Sequence, residues 1–369
     1  MYMRPQGRAP TANGTTTGPL EIHLSSLSPW RFSRWAAVVA VGAIAFVPIA
    51  EAQLPSPLQA GFYQPGVANL RDYATPAPGF YIIDYNIWTK SDGFYDRNGN
   101  RVGEVDLSQI DPSLGTVNLD LDANAYVNAF VVAWVSKRLK PFGDASYVAA
   151  LVPTFVSANY RVSVYPADGT DGARAEGGAG GFGDMGFIPL GLSWSFDQKF
   201  DLSFYYTVYA PTGRYEAGAD DNTGVGYWGH TFQVPFYAYF FDQAMALGVI
   251  PTLEVNNRIR GTNVRPGSRL TLEYGISQYF TEWLELMIVN AHSFQVEDDK
   301  GSDIWWRGTP LDGKDRKNTF VAGVGAWPWK ERLYLSFKYA RDYGVRRRFL
   351  NNTFSLTLVF VTGLLGDPR

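Results

Sequence analysis

The residues from Val117 to Val135 alternate between two kinds of side chain with a period of two. The odd-numbered positions carry valine, leucine and alanine, whereas the even-numbered positions up to Asn128 carry asparagine, aspartate and tyrosine. An α-helix would distribute both kinds around its circumference, but a β-strand separates them onto two faces. The segment is therefore predicted to be a strand with one apolar face and one polar face.

Similar segments recur along the chain, and most are near the roughly 10 residues that a membrane-spanning strand requires. The twelve approximate spans are 79–90, 117–136, 146–164, 183–196, 200–211, 227–241, 245–260, 268–280, 283–297, 317–328, 332–343 and 348–360. Short connections alternate with longer polar or glycine-rich ones, as in outer-membrane barrels, whereas a soluble β-sandwich predicts no such alternation. The predicted fold class is all-β, a transmembrane antiparallel up-and-down β-barrel of about 12 strands.

The composition agrees with a surface that faces lipid. Charged residues make up 18% of the chain, below the roughly 25% of a soluble domain, yet the mean hydropathy is only -0.14. We expect apolar residues to face lipid and polar residues to face a lumen, so that the two kinds average out. The absence of cysteine excludes a disulfide scaffold, a thiolate metal site and a cysteine nucleophile. A net charge of -3 gives no reason to expect nucleic acid as a partner.

The N-terminal region is typical of an export signal. Arg31 and Arg34 precede the uncharged run 36–49, and Ala50-Glu51-Ala52 provides an A-x-A cleavage site. The run is shorter than the roughly 20 residues of a transmembrane anchor, which is the alternative interpretation. We therefore expect residues 1–52 to be a signal peptide preceded by an N-terminal extension that results from a start codon assigned too far upstream. The expected location is the outer membrane of a Gram-negative bacterium.

The proline-rich segment 53–78 precedes the predicted barrel, residues 79–360. The segment is either a periplasmic lead-in or a hatch folded into the pore, and the lead-in is favoured because proline-rich segments commonly act as extended spacers. The last strand ends on the aromatic Phe360, resembling the final strand by which such barrels are recognised by the barrel-assembly machinery. Residues 361–369 form a C-terminal tail beyond it.

Several short motifs carry a family resemblance. Residues 61–66 read GFYQPG, 71–73 RDY, 76–81 PAPGFY, 182–184 FGD, 209–215 YAPTGRY and 224–228 GVGYW. Over nearly all of the mature chain, this pattern of glycine, proline and aromatic residues resembles the outer-membrane transporter-like family named for the meta-pathway of phenol degradation. The resemblance implies passage of hydrophobic or aromatic compounds across the outer membrane, and it brings no catalytic or ligand-binding motif.

Three motifs that suggest other chemistry lack the context that this chemistry needs. Residues 178–183 and 224–229 match the dinucleotide pattern G-x-G-x-x-G, but strand-like sequence follows where a helix is required. Asp96, Asn98 and Asn100 begin like a calcium loop, yet Arg101 and Leu107 occupy the positions of its glycine and glutamate. We expect flexible external loops at the first two sites and an ordered polar turn at the third, with a weak calcium site as the alternative.

Catalytic candidates are few. The mature chain contains two histidines, His230 and His292. A lipid-acting barrel enzyme would need a serine and a histidine side by side, but adjacent residues such as His292 and Ser293 point to opposite faces of a strand. We therefore predict no enzymatic activity, no metal and no cofactor.

The polar strand faces supply the candidate pore-lining residues. These are Asp84, Asn86, Asp120, Asp122, Asn124, Asn128, Glu254, Arg258, Arg260, Glu273 and Lys338. They either form salt bridges that fill the wall or define a constriction, because barrel interiors are polar for both reasons.

The strand number bears on function. About eight strands leave a filled interior and 16–18 leave an open channel, so about twelve predict a narrow, selective pore. The first hypothesis is passive passage of a small hydrophobic or aromatic solute; the second is a structural or binding barrel with an occluded lumen; the third is a lipid-acting enzyme. The expected partners are outer-membrane lipid and lipopolysaccharide, the assembly machinery and the solute.

Overall fold

The alternating segments form strands of one antiparallel sheet in the computed structural model of the chain, which describes residues 61–106, 116–166, 173–217, 219, 221–304, 307, 312–330 and 332–364. The strands are β1 Gly79–Tyr95, β2 Glu104–Asp106, β3 Thr116–Leu139, β4 Ala145–Val152, β5 Thr154–Pro166, β6 Ala173–Phe182, β7 Met185–Phe196, β8 Phe200–Ala210, β9 Gly229–Gln233, β10 Phe236–Phe240, β11 Met245–Asn256, β12 Arg269–Tyr279, β13 Leu284–Gln295, β14 Arg316–Trp329, β15 Leu333–Arg346 and β16 Arg348–Leu364. Two short 3-10 helices, Leu70–Tyr73 and Lys140–Phe142, complete the described elements.

These strands make a closed barrel of twelve antiparallel barrel strands. β4 and β5 form one barrel strand interrupted at Pro153, and β9 and β10 form another interrupted just before Phe236, at Pro235. Proline has no N–H to donate to a sheet, so interruptions at these points are expected. β6 and β7 form a third interrupted barrel strand, and β2 is a short addition that pairs only with β3. The first strand, β1, pairs with both β16 and β3 and so closes the cylinder. The predicted fold class and strand number are confirmed.

The two ends of the barrel differ. β1 begins and β16 ends at the same end, where Gly79 pairs with Leu364, and there the connections are the short turns 140–144, 197–199, 241–244, 280–283 and 330–332. The opposite end carries the long connections, which include 211–228, 257–268 and 296–315. We call these the short-turn end and the long-loop end. In outer-membrane barrels the first is periplasmic and the second extracellular.

The outward faces of the barrel strands carry exposed aromatic and aliphatic side chains. Among them are Trp134, Phe155, Phe200, Phe236, Leu247, Ile276, Ile288, Phe320, Phe337 and Phe354. Among the described residues, no helix is long and apolar enough to cross a membrane.

The predicted signal peptide, the beginning of the proline-rich segment and most of the predicted tail fall outside the residues that the structure describes. Residues 1–52 and 53–60 lie outside the described residues, as do 365–369 of the predicted tail. β16 continues to Leu364, beyond the predicted last barrel residue Phe360.

Candidate functional site: the barrel interior

Residues 61–78, which we call the N-terminal segment, lie inside the barrel. Phe62, Leu70 and Asp72 are fully buried, and the hydrogen-bond partners of the segment are inward-facing wall residues. The sequence favoured a periplasmic lead-in for this region. The segment instead packs against the inner wall. Its apolar side chains are buried there, and carboxylates of the wall accept hydrogen bonds from its backbone N–H groups.

Two buried glutamates of the wall hold the first half of the segment. Glu254 on β11 accepts hydrogen bonds from the backbone N–H groups of Phe62 and Tyr63, both at 2.9 Å. Glu273 on β12 accepts from the Tyr63 hydroxyl at 3.1 Å and from the backbone N–H of Gly66 at 3.2 Å. These four contacts satisfy buried N–H and O–H groups of the segment and so fix its path.

The middle of the segment binds to β15 and β1. The Lys338 ammonium donates to the Val67 carbonyl, and the Ser336 hydroxyl lies 2.7 Å from the Asn69 side-chain oxygen. The Asp72 carboxylate accepts from the Tyr85 hydroxyl of β1 at 2.6 Å. β15 and β1 both neighbour β16, whereas β11 lies six barrel strands away from β1, so the segment is bonded to opposite sides of the barrel through β11 and β1.

Arg71 fastens the segment at the short-turn end. Its Nε atom lies 2.7 Å from the Ser277 hydroxyl and 3.2 Å from the Glu285 carboxylate. Its Nη atoms donate to the carbonyls of Gln243 and Ala244, both at 3.0 Å. A guanidinium carries five N–H donors on three nitrogens. In this buried site all three nitrogens of Arg71 donate hydrogen bonds.

Phe62 anchors the other end of the segment among aromatic rings. It stacks on Tyr209 with ring centroids 4.5 Å apart and meets Tyr227 edge-on at 5.2 Å. Gly229 makes room for it, since a Cβ atom there would lie 2.3 Å from the Phe62 ring.

The inner wall is divided into an apolar side and a polar side. The inward residues of β1, β3, β4 and β5 include Ile83, Ile87, Val127, Ala129, Val131, Val135, Val148 and Val156, and these belong to the same hydrophobic cluster as Val67 and Leu70 of the segment. The inward residues of β11 to β15 include glutamates, serines, threonines and lysines. The segment is thus enclosed by a wall that is mainly aliphatic on one half and rich in hydrogen-bonding groups on the other.

A second set of ion pairs lies near the long-loop end. Arg269 Nη2 is 2.5 Å from the Asp315 carboxylate, and Lys317 Nζ is 3.6 Å from that of Asp342. Asp315 precedes β14, outside the membrane-spanning strands. Burial would raise its pKa, but the Arg269 guanidinium, assisted by Arg348, holds the pKa of Asp315 below its usual range.

The structure separates the predicted pore-lining residues into four groups. Glu254, Glu273 and Lys338 face the interior and are almost fully buried. Arg258 and Arg260 follow the end of β11 and lie in a loop, where Arg260 stacks on Tyr215. The side chains of Asp120 and Asp122 lie outside the described residues, although their backbones pair with β5.

The fourth group corrects the prediction. Asp84, Asn86, Asn124 and Asn128 lie on the outward face, because the alternate residues Tyr85 and Val127 are the buried, inward ones. Outside, Asp84 accepts hydrogen bonds from Asn86 at 3.0 Å and from Asn128 at 2.5 Å. The apolar face of β1 and β3 turns inward instead, and its residues share one buried cluster with Val67 and Leu70 of the N-terminal segment.

Arg71, Asp72 and Tyr63 are the site residues that the sequence interpretation missed. A signal was present, since an arginine and an aspartate stand side by side in an otherwise uncharged, proline-rich stretch. A flexible spacer has no need of a charged pair that is buried on folding, so the pair indicated a docked segment.

The remaining motifs serve local structure in the described residues. Asp96 accepts hydrogen bonds from the backbone N–H groups of Asn98 and Asn100, both at 2.8 Å, which makes the polar turn. Residues 178–182 lie within β6, so the expectation of a flexible external loop there is wrong, whereas residues 224–228 lie in a connection that leads into β9. His292 binds Asn318 on the outward face, whereas Ser293 is buried and binds Thr271.

Comparisons with known proteins agree on the architecture. The family model described as "Putative MetA-pathway of phenol degradation" matches residues 91–358. An outer membrane channel from Pseudomonas putida F1 has a similar structure, with a TM-score of 0.56 and 15% sequence identity over 78% of this chain and 96% of that one. At this identity the likeness shows a shared outer-membrane barrel fold.

Two further solved structures resemble the chain more weakly. A FadL homologue from Pseudomonas aeruginosa has a TM-score of 0.42 and 13% identity over 85% of this chain and 96% of that one. The CymD monoaromatic hydrocarbon channel has a TM-score of 0.41 and 8% identity over 89% and 96% of the two chains. None of the curated proteins compared with the chain matches it significantly.

Proposed function

The chain belongs to the family described as "Putative MetA-pathway of phenol degradation", and on that premise we propose that it is an outer-membrane channel for passive passage of small hydrophobic or aromatic compounds. The solute gradient would drive transport, and no nucleotide, metal or redox group would take part. The outer membrane channel from Pseudomonas putida F1, which shares the fold of this chain, is in keeping with this proposal.

The apolar half of the inner wall is the observation that carries the proposal. The interior of a porin is polar because it holds water. Here the inward positions of β1, β3 and β5 are aliphatic, as Ile83, Val127 and Val156 illustrate. An apolar solute that moves along such a wall stays out of water, which favours it over a sugar or an ion.

The N-terminal segment defines the gate in this proposal. Its residues Val67 and Leu70 belong to the same buried cluster as the aliphatic wall, and other groups of the segment are hydrogen-bonded to Glu254, Glu273 and Lys338. An apolar solute that displaced the apolar residues of the segment would still exclude water from the aliphatic wall. The hydrogen bonds to the wall would then bring the segment back to its original position after the solute has passed. Because one apolar contact would replace another, a small shift of the segment would cost little free energy.

The proposal is tested by uptake into cells whose outer membrane limits entry. Cells that express the full chain are compared with empty-vector cells for the initial rate of uptake of a labelled monoaromatic compound and of a labelled sugar of similar size. We expect faster uptake of the aromatic compound alone. Equal rates with and without the protein would contradict the proposal.

The buried N-terminal segment also favours a second candidate, a structural or binding barrel with an occluded lumen. Conductance of the reconstituted chain in a planar bilayer distinguishes the two. An occluded barrel stays silent with the native chain and in the presence of the aromatic solute. A gated channel shows openings that increase when the solute is added.

The location and maturation belong to the same proposal. Residues 1–52 would be removed as a signal peptide during export to the outer membrane of a Gram-negative bacterium. N-terminal sequencing of the membrane-inserted protein tests this, and a mature chain that retained Arg31 would contradict it. We propose no enzymatic role, and lipase activity lost on changing His292 or Ser293 would overturn that.

A further inference from the structure

A cleft on the outward side of the barrel, at the long-loop end, has no part in the proposed transport. It encloses about 550 Å³ between the end of β1 and the upper parts of β14, β15 and β16. Three arginines line it, namely Arg316, Arg341 and Arg346, together with Tyr343 and the polar turn at Asn98 and Gly99. An outward-facing cleft with this much positive charge is the opposite of what the lipid core would require.

The two outermost arginines face each other directly. Arg316 on β14 is the register partner of Arg346 on β15, and both side chains are exposed. Like charges directly opposite each other across a strand pair are destabilising. Among the residues that the structure describes, neither guanidinium is in an ion pair with a carboxylate. An anion placed between them would remove the repulsion.

The nearby carboxylates are engaged elsewhere. Asp342 contributes to the lining, but its side chain faces inward and binds Lys317 and Thr319. Asp92 lies on the outward side and pairs with Arg341 at 2.5 Å. The cleft therefore keeps an excess of positive charge.

Aromatic rings mark the membrane level just beneath the outermost arginines. Phe294 on β13 is the register partner of Arg316, and Phe320 on β14 is the register partner of Arg341; both rings are exposed, as is Tyr343. Aromatic girdles of barrels lie at the interface between hydrocarbon and headgroups. The guanidinium groups of Arg316 and Arg346 are thus at the height of the headgroups of the extracellular leaflet.

We propose that this cleft binds a phosphate group of the phosphorylated glycolipid of that leaflet, the lipid A part of lipopolysaccharide. The planar guanidinium matches phosphate oxygens with two parallel N–H donors, so two facing arginines hold one phosphate from both sides. The acyl chains of the lipid would extend down the aromatic surface at Phe294 and Phe320. The site needs only an outer-membrane location and is independent of the solute that the lumen carries.

The test measures binding of purified lipid A to the full chain in detergent by native mass spectrometry. The double variant Arg316→Gln/Arg346→Gln is compared with the native chain and with Arg138→Gln/Arg332→Gln, in which two exposed arginines of the short-turn end are changed. We expect lipid A affinity to fall about tenfold or more in the first variant and to change less than about twofold in the second.

Two further ligands identify the recognised group. Lipid A from which the phosphates have been removed should bind the native chain as weakly as lipid A binds the Arg316→Gln/Arg346→Gln variant. Inorganic phosphate should compete only at far higher concentration, because it lacks the acyl chains. Competition at equal concentration would overturn the lipid assignment, and so would equal affinity of the two double variants for lipid A.

Folding of the variants is checked by heat-modifiable migration on a gel. If the double variant fails to fold, the single variant Arg346→Gln takes its place, with Arg332→Gln as its control, and the same inequality in affinity is expected. Loss of lipid A binding with normal aromatic uptake would support the cleft and leave the channel proposal standing. Normal lipid A binding by this variant would overturn the cleft proposal, whereas the channel proposal stands or falls with aromatic uptake by the native chain.

Discussion

The carboxylate of Glu254 accepts a hydrogen bond from the backbone N–H of Tyr63, 2.9 Å away, across the inside of the barrel. The two residues are 191 positions apart in the chain. This bond and its neighbour from Phe62 join a segment outside the sheet to the wall that surrounds it. In this part of the barrel interior, wall carboxylates accept hydrogen bonds from buried backbone N–H groups of the segment.

The first prediction concerns that carboxylate. Glu254→Ala leaves the two N–H groups buried without an acceptor, which should weaken docking of the N-terminal segment by about 2–4 kcal/mol. The native chain contains no cysteine, so a single Ala68→Cys substitution provides a probe at a buried position. Labelling of this cysteine by a maleimide should become about tenfold faster or more when Glu254→Ala is added.

The control is Glu282→Ala. This glutamate is exposed at a short turn, where it pairs with Lys330. Exposed pairs contribute about 0–1 kcal/mol, so labelling at residue 68 should not change. Equal labelling rates in the two variants would show that Glu254 does not hold the segment.

The second prediction concerns the room made for Phe62. Gly229→Ala places a methyl group 2.3 Å from the present position of the ring, which must then move off Tyr209. We expect the labelling of Ala68→Cys to accelerate here as well. Gly103→Ala is the matched control, because a Cβ there meets no atom within 4 Å. The same rate for both alanine variants would contradict the assigned packing.

The third prediction concerns the corrected orientation of Asp84. A fluorophore attached to Asp84→Cys should be quenched by brominated lipid, because the side chain is on the outward face. Leu356 faces outward on β16 beside Asn86, whereas Thr357 is fully buried and faces inward, so labels at these two positions give the upper and lower limits. Quenching at position 84 as low as at position 357 would show that the Asp84 side chain faces the lumen and would contradict the outward orientation.

The fourth prediction concerns pH. The pKa of Asp315 is held below its usual range, so the folded protein keeps this carboxylate ionised at pH values where the unfolded chain binds a proton. The resulting stability is fully present above the ordinary pKa of about 3.9 and is lost as the pH falls through the lowered value. Asp315→Asn should remove this part of the acid dependence of the urea midpoint.

At neutral pH the same variant leaves the buried Arg269 without its closest partner and should cost about 3–5 kcal/mol. Asp221→Asn is the control, since Asp221 pairs with Arg214 in an exposed position and should contribute about 0–1 kcal/mol. An acid dependence of Asp315→Asn identical to that of the native chain would contradict the assignment.

The sequence interpretation succeeded where local pattern alone decides the structure. Alternation gave the twelve barrel strands, and the apolar residues of β11, β12, β15 and β16 were assigned to the outward side, as Leu253 and Phe337 show. It placed Glu254, Glu273 and Lys338 inside for the same reason. It failed at Asp84 and Asn128, whose strands carry the same alternation with the opposite orientation.

The period of two in the sequence by itself determined that this chain is built of strands, how many there are and which side chains share a face. It could not determine which face is inside, because both faces of a strand are equivalent until something fills the lumen. The tertiary structure decided that when the N-terminal segment entered the lumen, where Val67 and Leu70 share a buried cluster with Ile83 and Val127 and the N–H group of Phe62 meets Glu254. Buried polar groups found partners in that segment or in the wall itself, as Arg269 did with Asp315, and Asp84 was left outside.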